Sequence, residues 1–236
     1  MDVEPAPGLF SGRRPSSPAS HLLPESVKSN GYSAPALIQL FAKPPVRGKV
    51  KTRLIPELGE SVATDIYRYC LDYTLGLVRQ SGIDYQLWLS EESQDSIFQD
   101  QPYNLQQGTD LGSRMLSAIK SRLEQNANED SGVILIGSDC LDMTPTHLQQ
   151  AIDALRNHDM VLLPTFDGGY ALIGCRRIDA ELFANVKWGG SMVLQKTLEN
   201  AKSLDYRVSL LETVRDIDRL QDVNHYAELK SLIASN

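Results

Sequence analysis

From about Ala36 onward, short apolar runs alternate with longer stretches in which apolar residues recur at three- and four-residue steps. This is the signature of strand-helix-strand units wound around a mainly parallel sheet. The apolar runs predict strands at 36–42, 84–90, 103–107, 132–137, 159–164, 170–175 and 206–211. Helical spacing predicts helices at 60–81, 111–125, 145–156, 190–203 and 219–233. The first helix is the clearest, because Ala63, Ile66, Tyr67, Cys70, Leu71, Thr74, Leu75 and Val78 fall on one stripe that must pack against the sheet. Thr144-Pro145 opens the third with a capping hydroxyl and a proline whose missing N–H costs nothing in the first turn. No internal repeat and no second linker interrupt the pattern.

Ahead of Ala36 the composition changes. Residues 1–35 hold six of the twelve prolines, seven serines and three glycines, too few apolar groups to offset the entropy of ordering. A disordered tail is expected at 1–35 and a single folded domain at 36–236. Asp2 and Glu4 without an apolar core speak against a secretory leader, although Arg13-Arg14 gives a targeting signal slight support.

Charge and cysteine usage then narrow the chemistry. Thirty acidic against 23 basic residues give a formal charge of -7, which argues against a nucleic-acid partner. Aliphatic runs reach only four residues, as in Val133–Ile136, against the roughly 20 of a membrane span. Cys70, Cys140 and Cys175 are widely spaced and form no Cys-x-x-Cys pair, which fits a reducing, cytoplasmic setting. The four histidines show no metal-ligand spacing, so carboxylates and basic residues must carry any catalysis.

In an open α/β sheet, ligands bind beyond the carboxyl ends of the strands, so the loops there are where chemistry belongs. The loop after the first strand carries Lys43, Arg47, Lys49, Lys51 and Arg53, with no acid between Glu25 and Glu57. Such a cluster suits a polyphosphate, or else is a solvated basic loop. Asp139 follows the buried run 133–136, where a carboxylate can hold Mg²⁺ together with substrate phosphates, or merely cap the loop. Asp216 and Asp218 form a second acidic point, although Asp218 with Gln221 also fits a capping box. Gly108 to Arg114 joins a strand to a helix and offers backbone N–H groups to an anion, with Asp110 a candidate cap. Asp167-Gly168-Gly169-Tyr170 reads as a hairpin turn. Trp188, ahead of Gly189-Gly190-Ser191, is a substrate wall or a packing anchor.

Taken together, Phe41-Ala42-Lys43-Pro44, Gly48 to Leu54, Gly108 with Asp110-Leu111-Gly112, Gly137-Ser138-Asp139-Cys140, Asp167 to Tyr170 and Asp216-Ile217-Asp218 carry a family resemblance. The chain resembles the bacterial glycosyltransferase-A-like transferases that are similar to 2-phospholactate guanylyltransferase, over nearly all of 38–224. The resemblance implies a Rossmann-like nucleotide-diphospho-sugar transferase fold with helices on both faces of the sheet. It further implies that Lys51 and Arg53 act on phosphates as catalytic groups, with Lys43, Lys49, Gly108, Asp110, Leu111 and Gly112 lining the nucleotide. Asp139 with Asp216 or Asp218 would hold Mg²⁺ or Mn²⁺, and Asp167, Gly168, Gly169, Tyr170 and Trp188 would face the acceptor. Thr109, Ser113, Leu141 and Gly190 depart from the family pattern, all in the nucleotide and acceptor loops.

The expected function is Mg²⁺-dependent nucleotidyl transfer from a nucleoside triphosphate to a small phosphorylated or acidic acceptor, with pyrophosphate leaving. Glycosyl transfer from a nucleotide-sugar is the alternative. It would call for an Asp-x-Asp pair after the fourth strand, where Asp139 and Asp142 stand one position too far apart. A third possibility is a module that senses a nucleotide without turnover.

Overall fold

The computed structural model describes residues 36–125 and 132–234. The expected tail at 1–35 lies outside them. Seven strands form one sheet: β1 (Leu37–Ala42), β2 (Tyr85–Leu89), β3 (Tyr103–Leu105), β4 (Val133–Ile136), β5 (Met160–Pro164), β6 (Tyr170–Cys175) and β7 (Val208–Leu210). Their order across the sheet is β3-β2-β1-β4-β6-β5-β7. All pairings are parallel except those of β6, which runs antiparallel to both β4 and β5. The expected α/β fold, mainly parallel with helices on both faces, is the observed one.

The alternation of strand side chains builds the two layers. Ile38, Leu40 and Ala42 of β1, Ile134 and Ile136 of β4, and Val161 and Leu163 of β5 pack beneath α1 (Ile55–Gln80) and a second helix at Pro145–Leu155. Phe41, Val133, Leu135, Met160 and Leu162 face the opposite way, toward Met115, Ala118 and Ile119. Burial on both faces is why these runs read as continuously apolar.

In chain order the helices are α1, α2 (Leu111–Gln125), α3 (Pro145–Leu155), α4 (Val193–Ser203), α5 (Leu220–Val223) and α6 (Ala227–Ala234). Gly59 interrupts α1 with φ 76° and ψ 166°, so its regular part begins where the spacing predicts, at residue 60. The helix expected from 190 starts at Val193, because the glycine loop before it turns through a positive φ at Gly189. The helix expected over 219–233 is two pieces. The chain turns at Asn224, and this lets the Tyr226 hydroxyl donate to Asp142 Oδ1 at 2.8 Å. Ile217, Val223 and Leu229 then pack against Leu54, Ile66 and Cys70 in a third apolar cluster. Among the described residues no helix is long and apolar enough to cross a membrane.

Gly76 lies in α1 one turn before its carboxyl end, with nothing nearer to an added Cβ than Gln80 Nε2 at 3.9 Å. Replacing it with alanine removes backbone freedom from the unfolded chain without a clash. Gly76→Ala is expected to stabilise the fold by about 1 kcal/mol, read from the urea midpoint.

Candidate active site

Every loop singled out above except that at 188–191 leaves the sheet at one edge, beyond the carboxyl ends of β1, β3, β4, β5 and β7. Lys43, Lys51, Arg53, Leu111, Asp139, Asp167, Gly169, Tyr170, Asp216 and Asp218 there line one cleft of about 530 Å³. The basic loop is anchored by Val50 and Leu54, which are buried in the core on either side of Lys51 and Arg53. Gly48 and Lys51 both take positive φ, which folds the loop back over the sheet edge.

Lys51 is the centre of the site. Its side chain is only 6% exposed, its ammonium pairs with Asp139 Oδ1 at 2.5 Å, and it also donates to the Ile217 carbonyl. The Ile217 N–H in turn donates to the Asp139 carbonyl at 2.8 Å. The lysine therefore ties the β4 loop to the 216–218 segment. Burial opposes its charge, but the Asp139 carboxylate outweighs that and raises the ammonium pKa above its ordinary value. Lys51 is thus a fixed cation.

Arg53 makes the second tie, with its guanidinium donating to Asp218 Oδ2 at 2.5 Å and to the Gly189 carbonyl at 3.0 Å. Asp216 forms no ion pair among the described residues. Burial first, then the neighbouring charge of Asp167, pushes its carboxyl up to about 6. An acid so destabilised as an anion marks the part of the cleft where added positive charge would be most favourable.

The hairpin reading of Asp167-Gly168-Gly169 holds, since β5 and β6 are antiparallel and joined by this turn. Asp167 Oδ1 accepts from the Thr165 hydroxyl at 2.6 Å and the Gly169 N–H at 2.9 Å, which fixes its carboxylate at the cleft wall. Gly168 itself lies behind the wall, where its carbonyl accepts from the Leu194 N–H at the start of α4 at 2.9 Å.

Beside the cleft is an apolar recess of about 180 Å³ that includes Phe41, Leu111, Met115, Tyr170 and Trp188. Trp188 packs edge-on to Phe183, with ring centroids 5.7 Å apart, and lies against the backbone of Gly112. A Cβ on Gly112 would come within 2.6 Å of the indole, so glycine there is what admits the ring.

Four expected nucleotide residues stand outside the cleft lining, Gly112 behind Trp188 and three others. Lys49 is exposed and reaches Glu91 at 3.8 Å. Asp110 caps α2, accepting from the Ser113 N–H and hydroxyl at 2.8 Å each, and these bonds hold its carboxyl below the ordinary range. Gly108 is required by the turn before α2, where φ is 144° and a Cβ would meet Arg114 N at 2.7 Å.

Tyr67 was hidden in the sequence among core positions of α1. Its hydroxyl accepts from the Lys43 N–H at 2.8 Å and lies 3.2 Å from the Ser138 hydroxyl, joining the start of the basic loop to the β4 loop. Asp142, the other acid of the β4 loop, is taken up by the Arg215 N–H at 3.0 Å and the Tyr226 hydroxyl. Among the described residues no three His, Cys, Asp or Glu side chains converge as a ready-made metal cage. The oxygen chemistry of Asp139, Asp167 and Asp216 nevertheless fits a hard divalent cation. Mg²⁺ commonly takes one or two carboxylates and completes its shell with water and substrate phosphate.

The sheet order and a strand-end cleft lined by both basic and acidic side chains define an α/β fold with its candidate site at the carboxyl ends of the strands. Residues 74–190 match the family described as "Uncharacterized protein conserved in bacteria (DUF2064)", which bears out the family resemblance carried by the motifs. A solved protein of Desulfovibrio desulfuricans G20, provisionally named a nucleotide-diphospho-sugar transferase, is 29% identical and superposes with a TM-score of 0.76, over 86% of this chain and 95% of that one. A nucleotidyl transferase of Methanothermobacter thermautotroptrophicus is 13% identical with a TM-score of 0.51, covering 85% of this chain and 99% of that one. The bifunctional IspDF of Campylobacter jejuni is 11% identical with a TM-score of 0.53, over 81% of this chain and 54% of that one. The last two are likenesses of fold. The expectation of a nucleotide-dependent transferase agrees with the Desulfovibrio protein. No protein of curated function matches the chain.

Proposed function

We propose that the cleft binds a nucleoside triphosphate with a divalent cation and passes its nucleotidyl group to a small phosphorylated or acidic acceptor. One observation carries this reading: Lys43, Lys51 and Arg53 line the same strand-end cleft as Asp139, Asp167 and Asp216. A ligand that brings both anionic phosphates and a cation suits such a mixed lining.

In the step itself an acceptor oxygen forms a bond to the α-phosphorus while the bond to the bridging oxygen breaks. Pyrophosphate leaves with the electron pair. Arg53 and Lys43 neutralise the leaving oxygens, and Lys51 holds Asp139 in place against the 216–218 backbone. Asp139, through the oxygen that Lys51 does not engage, and Asp216, which has no ion pair among the described residues, would hold the cation. That ion supplies charge neutralisation on the phosphate oxygens and aligns donor with acceptor. The apolar recess beside Trp188 takes the nucleoside.

A second reading, transfer of a sugar from a nucleotide-sugar, is favoured by the provisional name of the Desulfovibrio relative. Against it stands the commitment of Asp142, which leaves Asp139 as the one acid of the β4 loop that faces the cleft.

A thermal-shift panel of the four nucleoside triphosphates and common nucleotide-sugars, with and without Mg²⁺, separates the readings. One triphosphate at about a hundred times its dissociation constant should add roughly 2.7 kcal/mol of stability, and only with Mg²⁺. Stabilisation by a nucleotide-sugar alone would favour sugar transfer. Tight binding without turnover of any donor would favour a sensing role, and no shift with any ligand would remove the proposal.

A further inference from the structure

A second cavity of about 410 Å³ lies beyond Arg53, between the β5–β6 hairpin, the glycines before α4 and the segment 215–222. It shares Arg53, Asp167, Asp216 and Asp218 with the cleft, so the two volumes meet at the same carboxylates. Its far side is built differently, from Phe166, Arg215 and Arg219.

These three do not look like ordinary surface. Phe166 is 66% exposed although it is a large aromatic at a cavity wall. The Arg215 guanidinium stands 5.1 Å from the centre of its ring. Asp222 accepts from Arg215 Nη1 at 3.3 Å, and its other oxygen accepts the backbone N–H groups of Asp218 and Arg219 at 3.2 and 2.8 Å. One buried carboxylate therefore fixes both the arginine and the chain that presents it. Arg219, by contrast, has no ion pair or side-chain hydrogen bond among the described residues.

The charges of the cavity sort themselves by position. Arg53 answers Asp218 and Arg215 answers Asp222. What remains is a pair of acids, Asp167 and Asp216, where the cavity joins the cleft, and the guanidinium of Arg219 on the far side. A guanidinium fork left unpaired beside a stacked aromatic is suited to a phosphate or carboxylate.

We propose that this cavity is the acceptor site, and that it selects small acceptors bearing a phosphate or carboxylate head, which Arg219 grips with help from the free edge of Arg215. The acceptor then spans from Arg219 to the shared carboxylates, which puts its opposite end, the one carrying the reacting oxygen, at the cleft. The inference rests on the transfer reading above and names the feature its acceptor must carry.

Calorimetric titration of the full chain with two probes, glycerol 3-phosphate and malonate, tests it. Wild type should bind at least one probe, and which one it prefers separates a phosphate head from a carboxylate head. Arg219→Ala is expected to weaken that probe by about tenfold or more, the loss of a charge-assisted fork, while the surface control Lys120→Ala on α2 leaves it unchanged. Because Arg219 is exposed, the variant should fold as wild type does. Retention of binding in Arg219→Ala with loss in Lys43→Ala would put the anion in the nucleotide cleft and overturn the proposal. Failure of both probes to bind wild type would overturn it as well. Nucleotide binding, measured on the same samples, keeps the two readings apart. Arg219-dependent anion binding with no nucleotide binding would sink the transfer reading alone.

Discussion

Asp139→Asn is expected to remove the Mg²⁺-dependent part of nucleotide binding and to lower turnover by about 100- to 1,000-fold, the scale on which loss of a single transition-state electrostatic contact is felt. The substitution is nearly isosteric, so the amide oxygen still meets the Lys51 ammonium. What it takes away is the negative charge that lets a lysine with 6% exposure stay protonated. Removing one partner of a fully buried ion pair costs about 3–5 kcal/mol. The Asp139 side chain is half exposed, so the cost here should be nearer 1–2 kcal/mol, leaving a folded protein at room temperature. The measurement is nucleotide titration with and without Mg²⁺, alongside a urea melt. Equal metal dependence in variant and wild type would refute the role given to Asp139.

The second large effect concerns the wall rather than the charges. Gly168 has φ 89°, and a Cβ added to it would lie 2.0 Å from the Ser191 carbonyl oxygen. Gly168→Ala thus combines a conformation unfavourable to an L side chain, worth about 1–2 kcal/mol, with a backbone clash worth about 1–3 kcal/mol. A loss of about 3 kcal/mol is expected in the urea midpoint at constant slope. Gly137→Ala is the comparison, since nothing lies within 4 Å of the added carbon, and it should change stability by less than about 0.5 kcal/mol. A small loss in Gly168→Ala would mean that the hairpin and the start of α4 shift apart readily, and that the cavity behind Asp167 is soft.

How much of this was legible beforehand follows from the range of the interactions involved. Period-two and period-3.6 patterns are local, so the strands and the first three helices stood nearly where expected. Strand ends then located the cleft, because loops such as 43–53 and 137–140 can only leave a parallel sheet at that edge. The pairings made across the cleft were not legible. The partner of Lys51 is 88 residues away at Asp139, and that of Arg53 is 165 away at Asp218. Tyr67 falls on the apolar stripe of α1, and nothing local tells its hydroxyl from the edge of a core ring. The break at Asn224 was equally silent, because Tyr226 is drawn out of the helical pattern by Asp142, 84 residues earlier. Lys49 shows the converse error, since a loop rich in cations does not reveal which of them turn inward.

The stitch from Lys51 to Asp139 and Ile217 also sets an order of events during synthesis. The basic loop leaves the ribosome early, and the β4 loop some ninety residues later, yet the ammonium cannot complete its contacts until Ile217 has emerged. The same stretch brings Asp216 to the cleft and sends Val223 and Leu229 onto the exposed flank of α1. A nascent chain halted before this segment can pair β1 with β2 and β4, but it leaves Lys51 without the Ile217 carbonyl and an apolar helix face open to water. Competence to bind ligand is therefore conferred only once residues 216–229 have emerged, and a chain lacking them has its sheet without its site.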